Sequence, residues 1–217
     1  GWTERYVVES LALSATKTWV LLRGDDPTIN LADGGIINET ALLATGTARL
    51  GSPTIRFVQG SYMRFDSDVA GWTVSAATIE MWARLDPKLV DGDATVRVLW
   101  GLLSSFAGNS IHVKLSTAAK LQVVTEFNGV TTTTTAVDPI PDDGWHHIAF
   151  TIDRGAGEIR LYLDGVVSVS ISQGGGWLWG GTVIRGFIAT DAAGWAAAAD
   201  ARPTWIGELD EIRVTPS

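Results

Sequence analysis

Strict apolar–polar alternation, interrupted by short Gly- and Asx-containing turns, constrains this chain more than any other feature. Residues 143–165 read Asp-Gly-Trp-His-His-Ile-Ala-Phe-Thr-Ile-Asp, then Arg-Gly-Ala-Gly, then Glu-Ile-Arg-Leu-Tyr-Leu-Asp-Gly. A period of two puts successive side chains on opposite faces, so two such runs around a Gly-rich turn predict a β-hairpin. In the first run His146, Ile148, Phe150 and Ile152 share one face, and Trp145, His147, Ala149 and Thr151 share the other. In the second, Ile159, Leu161 and Leu163 oppose Glu158, Arg160, Tyr162 and Asp164. One aliphatic and one mixed face per strand suits a sheet with one side on a core. Asp164-Gly165 supplies positive φ for a tight turn into a third strand over 166–172.

The same pattern recurs along the chain. In residues 78–85, Ile79, Met81, Ala83 and Leu85 alternate with Glu80, Trp82 and Arg84, and Asp86-Pro87 ends the run because proline lacks a ladder donor. Further strands are expected over 5–13, 18–23, 55–57, 62–65, 95–103, 110–115, 121–127, 130–137, 182–189 and 205–214. Asn128-Gly129 is a strong two-residue hairpin signal, and Gln59-Gly60-Ser61 reads as a hairpin-like turn. The Gly-rich stretch 174–181 reads as a loop displaying Trp177 and Trp179, and the Ala-rich 191–202 as one or two helical turns. Many short strands, turn signals and no long helical period predict an all-β, two-sheet antiparallel β-sandwich.

The chain of 217 residues suits one such domain, with 46% hydrophobic residues to fill its core. It begins Gly1-Trp2 and reads as one module of a longer polypeptide, residues 1–14 being a linker or a first strand. A net charge of −8 without a basic run argues against a nucleic-acid partner. The sequence has no apolar run long enough for a membrane span. Zero cysteines exclude disulfides and thiol chemistry, and favour a bacterial or phage source over a small secreted animal domain.

Four blocks then carry a resemblance. Thr78-Ile79-Glu80-Met81-Trp82-Ala83, Trp145-His146-His147-Ile148-Ala149, Leu161-Tyr162-Leu163-Asp164-Gly165 and Gly207-Glu208-Leu209-Asp210-Glu211-Ile212-Arg213-Val214 look like the signature blocks of laminin G-like, concanavalin A-like domains, in family order. The resemblance spans roughly residues 15–217 and implies the concanavalin A-like jelly roll. It also implies that Glu80, Trp82 and Arg84 face solvent on the sheet side where related folds bind glycans, with Glu211 and Arg213 adding to them from another strand. Trp82 would stack on a sugar ring while the charged residues bond hydroxyls. The competing reading is cross-strand ion pairing on a solvated sheet. Trp177 and Trp179 are further aromatic candidates, and Trp205 reads as rim packing.

Asp210 is a metal candidate. By simple alternation it shares the face of Ile212 and Val214, where a carboxylate is costly unless paired, hydrogen-bonded or metal-bound. The resemblance implies that an aspartate in this block can hold a structural Ca2+, with Asp25, Asp26 and Asp33 as possible co-ligands. The alternative is a carboxylate accepting backbone N–H bonds at the rim. Adjacent His146 and His147 point to opposite faces and cannot jointly chelate one ion; His146 reads as a hydrogen-bonded core or rim residue. The related glucanases carry acid, aspartate and acid on one face of one strand, whereas here Glu208 and Asp210 are followed at the third place by Ile212. The expected function is a non-catalytic glycan-binding module of a phage tail, another virion protein or a bacterial surface protein. A structural module packing against virion subunits, or a homo-oligomer, is the alternative, and a glycoside hydrolase ranks last.

Overall fold

A computed structural model of the chain describes residues 20–22, 36–38, 42–44, 54–58, 60–66, 76–85, 97–104, 109–127, 129–153, 155–172, 183–190 and 205–216. The described residues form strands and no helix. One antiparallel sheet contains β1 (Val20–Leu22), β3 (Leu42–Ala44), β4 (Thr54–Phe57), β6 (Ala76–Leu85), β11 (Trp145–Asp153), β12 (Glu158–Leu163), β13 (Val166–Ser172) and β15 (Gly207–Pro216). Its order is β13-β12-β11-β6-β15-β4-β3, and β1 pairs with β15. The second sheet contains β2 (Ile36–Asn38), β5 (Met63–Asp66), β7 (Arg97–Ser104), β8 (Ser110–Leu115), β9 (Leu121–Phe127), β10 (Val130–Thr135) and β14 (Val183–Ile188). Its order is β10-β9-β8-β7-β14-β5-β2. The all-β, two-sheet antiparallel architecture is the one the alternation predicts.

Local turn chemistry makes the hairpins. Asp164 and Gly165 have φ of 51° and 80°, so both central residues of the β12–β13 turn are left-handed, as a two-residue hairpin loop needs. Asp164 is anchored there by its carboxylate across to β11: Oδ1 accepts the His147 N–H at 2.9 Å. Beside Gly129, whose φ is 77°, the register closes directly from Phe127 to Val130. The turn at residues 59–61 behaves differently. The Ser61 N–H donates to the Val58 carbonyl at 2.9 Å, but β4 and β5 then enter different sheets. The expected hairpin-like turn is therefore a crossing between the two layers, because a turn signal fixes chain reversal and not the partner strand.

The aliphatic faces meet between the sheets. Ile79, Met81, Ala83 and Leu85 of β6, and Ile148, Phe150 and Ile152 of β11, are buried, while their alternate neighbours are partly exposed up to the end of each strand. Across the interior Trp100 of β7 meets Phe150 edge-on, with ring centroids 4.6 Å apart and planes at 74°, a favoured aromatic geometry. Trp205 is fully buried in the same core. The expected strand at 5–13, the Gly-rich loop, the Ala-rich helical turns and the residues Asp25, Asp26, Asp33, Trp177 and Trp179 lie outside the described residues.

Candidate ligand-binding face of the eight-stranded sheet

The mixed faces of β15, β6 and β11 lie side by side, and their register places each polar or aromatic residue opposite a partner. Glu208 pairs with Arg84, and Arg84 with Trp145. In the next row Asp210 pairs with Trp82, and Trp82 with His147. In the third, Arg213 pairs with Glu80 and Glu80 with Ala149, beyond which lies Tyr162. Directly opposed side chains on one sheet face are close enough to interact. Here they do: the Trp82 and His147 rings are 5.1 Å apart and tilted by 53°, and the Arg84 guanidinium lies 5.8 Å from the Trp145 ring centroid. An Arg over an indole face is attracted by the ring quadrupole.

The charges on this face are paired. Arg84 Nη2 donates to Glu208 Oε1 at 3.2 Å, and the buried Thr54 hydroxyl donates to Glu208 Oε2 at 3.0 Å. Glu80 is approached from both sides, by His147 Nε2 at 3.6 Å and by Arg213 Nη1 at 3.4 Å. The approach of His147, opposed by partial burial, and then the charge of Arg213 hold the Glu80 carboxyl below its ordinary 4.5.

The structure thus brings Glu80, Trp82, Arg84 and Arg213 together on one face. It adds Trp145, His147, Tyr162 and Glu208, which sequence reasoning did not include in the site. The signal for three of them existed, since Trp145, His147 and Tyr162 sit on the mixed faces of their strands; the missing information was which strand lies beside β6.

Asp210 requires a correction. It does not share the face of Ile212 and Val214. The register steps from Trp82↔Asp210 to Glu80↔Arg213, so Glu211 and Ile212 both lie opposite Met81 in a β-bulge. Glu211 takes φ of 48°, and the period of two slips by one residue. Leu209, Ile212 and Val214 therefore face the core, while Glu208, Asp210 and Arg213 face outward beside β6. Asp210 remains buried, and its Oδ1 accepts the Glu211 N–H at 2.9 Å. The bulge also displaces Glu211, the residue expected beside Arg213, from simple register with β6. Among the described residues no group of three or more His, Cys, Asp or Glu is arranged to hold a metal ion. Asp25 and Asp26, the co-ligands expected with Asp210, lie outside the described residues.

The bulge changes the comparison with a glucanase strand as well. The third outward residue after Glu208 and Asp210 is Arg213, not Ile212. A cation stands there, and both oxygens of Glu208 are already engaged by Arg84 and Thr54.

His146 faces the other way and is buried at the sandwich rim. Its Nδ1 lies 2.7 Å from Asp164 Oδ2 and its Nε2 3.1 Å from Asp142 Oδ1. The Gly144 N–H and then His146 hold the Asp142 carboxyl below its ordinary value. A Cβ at Gly144 would meet Asp142 Oδ1 at 2.6 Å, so glycine keeps this carboxylate within reach of the ring. Nδ1 ties the start of β11 to Asp164 in the β12–β13 turn and Nε2 ties it to Asp142 just before the strand, which is a structural role.

Two facing antiparallel sheets, with an aromatic and charged outer surface on one of them, make this a β-sandwich. A family profile described as the concanavalin A-like lectin/glucanases superfamily matches residues 58–217, and the chain belongs to that superfamily. No curated protein matches the chain in sequence. Among solved structures it is similar to the receptor binding domain of a botulinum neurotoxin C/D mosaic serotype, with TM-score 0.67 and 8% identity over 93% of this chain and 48% of that one. The botulinum neurotoxin serotype D binding domain gives TM-score 0.68 and 8% identity over 96% of this chain and 49% of that one. The chain spans about half the length of those neurotoxin domains. Domain 4 of AbnA, a GH43 extracellular arabinanase from Geobacillus stearothermophilus, solved with arabinotriose, gives TM-score 0.62 and 15% identity over 93% of both chains. At these identities the likeness concerns the fold.

Proposed function

We propose that the chain is a non-catalytic glycan-binding module, and that it binds through the outward face of β6, β11 and β15. The observation that carries this reading is Trp82: it is partly exposed at the centre of that face, braced by His147, and ringed by the Glu80–Arg213 and Arg84–Glu208 pairs. An indole held in one orientation offers a flat apolar surface at low entropic cost, suited to the C–H face of a sugar ring. Carboxylate and guanidinium groups fixed around it can accept from and donate to hydroxyls without first being ordered. The fold likeness to a domain solved with arabinotriose, and to receptor binding domains of neurotoxins, supports the same reading. Arg213 at the third outward place, after Glu208 and Asp210, and a Glu208 already held by two partners, favour binding over hydrolysis. The setting we infer is the surface of a virion, such as a phage tail, or of a bacterial cell, with a cell-surface glycan as partner. Trp177 and Trp179 remain candidates for enlarging the platform.

The test is a glycan array probed with the whole chain, followed by calorimetric titration of the best hit. Trp82→Ala should weaken binding roughly tenfold or more while leaving the melting temperature nearly unchanged. Silence across bacterial envelope and plant cell-wall glycans, or equal binding by the Trp82→Ala variant, would overturn the proposal. Release of reducing sugar from any polysaccharide would overturn its non-catalytic part.

A further inference from the structure

On the side of the sandwich away from β2 and β3, two edge strands run close together: β10 ends one sheet and β13 ends the other. Their sequences, Val-Thr-Thr-Thr-Thr-Thr and Val-Val-Ser-Val-Ser-Ile-Ser, contain no charge, no proline and no glycine. Exposed large apolar side chains gather here. Val130 is 65% exposed, Val137 79%, Val166 69% and Val167 49%, and the remaining large exposed hydrophobic among the described residues is Val58. Folded proteins usually blunt a sheet edge with lysine, proline, a bulge or a very short strand. β13 is interrupted by a bulge opposite Leu161 and Tyr162. β10 has none of these protections: its six residues hold continuous register from Val130↔Phe127 to Thr135↔Gln122, and among the described residues one side of its backbone has no strand beside it.

The geometry points to β10 as a homodimer interface, in which a second copy of this chain pairs its own β10 antiparallel across a two-fold axis and continues the sheet. Three observations select a second copy as occupant. The chain carries a net charge of −8, so two copies repel except where the approaching surfaces are neutral, and the β10–β13 side is such a strip. A two-fold contact must be self-complementary, and five consecutive threonines oppose threonines in any nearby antiparallel register. Cross-strand Thr–Thr pairs are favourable on a sheet face. Val130 opens β10 and Val137 follows its end, so two of the exposed valines adjoin the contact. This inference does not rest on the glycan-binding reading, since β10 belongs to the other sheet.

The experiment is sedimentation velocity on the whole chain over a wide concentration range, with hydrogen exchange at the amides of residues 131–135. The expected result is a concentration-dependent doubling of mass, with exchange in β10 slowing as the dimer forms. Thr131→Lys/Thr133→Lys, at two exposed positions, puts like charge on both sides of the contact; it should halve the mass to the monomer's with the melting temperature of the monomer unchanged. A wild-type chain that stays monomeric at every concentration overturns the inference. So does a dimer that survives the double lysine variant, or one that leaves β10 exchange unaltered.

Discussion

Glu80 lies between His147 and Arg213, and its carboxyl is held below its ordinary value of 4.5, first by the approach of His147 and then by the charge of Arg213. A carboxyl that releases its proton more readily in the folded state favours folding at pH values above its unfolded pKa. That contribution is lost as the pH falls from about 4.5 through the lower folded value. Glu80→Gln removes the titrating group. The difference in melting temperature between wild type and Glu80→Gln should therefore be largest near neutrality and shrink through the carboxylate range; a constant difference would show that the Glu80 carboxylate is not coupled to His147 and Arg213. Residue types and strand faces were readable here from alternation alone, which put Glu80 with Trp82 and Arg84. Its partners His147 and Arg213 are 67 and 133 positions further along the chain, and nothing local specifies that β11 and β15 flank β6.

At the scale of the element, the β15 bulge decides what the last strand presents. Without it, strict alternation would carry Asp210 to the Ile212 and Val214 side and leave Arg213 facing away from Glu208. With Glu211 inserted in the left-handed region, the acids and Arg213 line up on one face and the aliphatics on the other. A left-handed backbone costs an L-residue about 1–2 kcal/mol, and a β-branched side chain more. Glu211→Gly should therefore keep or slightly raise the melting temperature, Glu211→Val should lower stability by about 1–2 kcal/mol, and deletion of residue 211 should leave the chain folded, because it restores strict alternation with Leu209, Ile212 and Val214 still on the core face. Equal losses for the glycine and valine variants would refute the role given to the backbone at this position. The bulge was not legible because Glu is an ordinary strand-surface residue. A glycine or asparagine there would have signalled positive φ, but Glu211 adopts it under the constraint of the strands on either side.

For the whole molecule, stability rests on the interior between the sheets, where Phe150 and Trp100 meet from opposite layers. Phe150 is fully buried, so Phe150→Ala leaves a cavity on both sheets and should cost about 3–5 kcal/mol in denaturant unfolding. Glycan binding by the surviving folded fraction should persist, because that residue faces away from Trp82. A loss below about 1 kcal/mol would mean that the layers do not pack as described.

The amino-acid sequence by itself determined the faces of the strands, the hairpin turns at Asn128-Gly129 and Asp164-Gly165, and the choice of a two-layer sandwich. These are local properties: the pleat has a fixed period, and each turn depends on the φ values its own residues tolerate. Only the tertiary structure decided that the turn after β4 crosses between layers, that β15 carries a bulge, and that Trp82 stands beside His147, Asp210 and the ion pairs of Arg84 and Arg213. Each of those outcomes is a register between strands far apart in the chain. Register is set by the summed packing of both faces, which no short stretch of sequence contains.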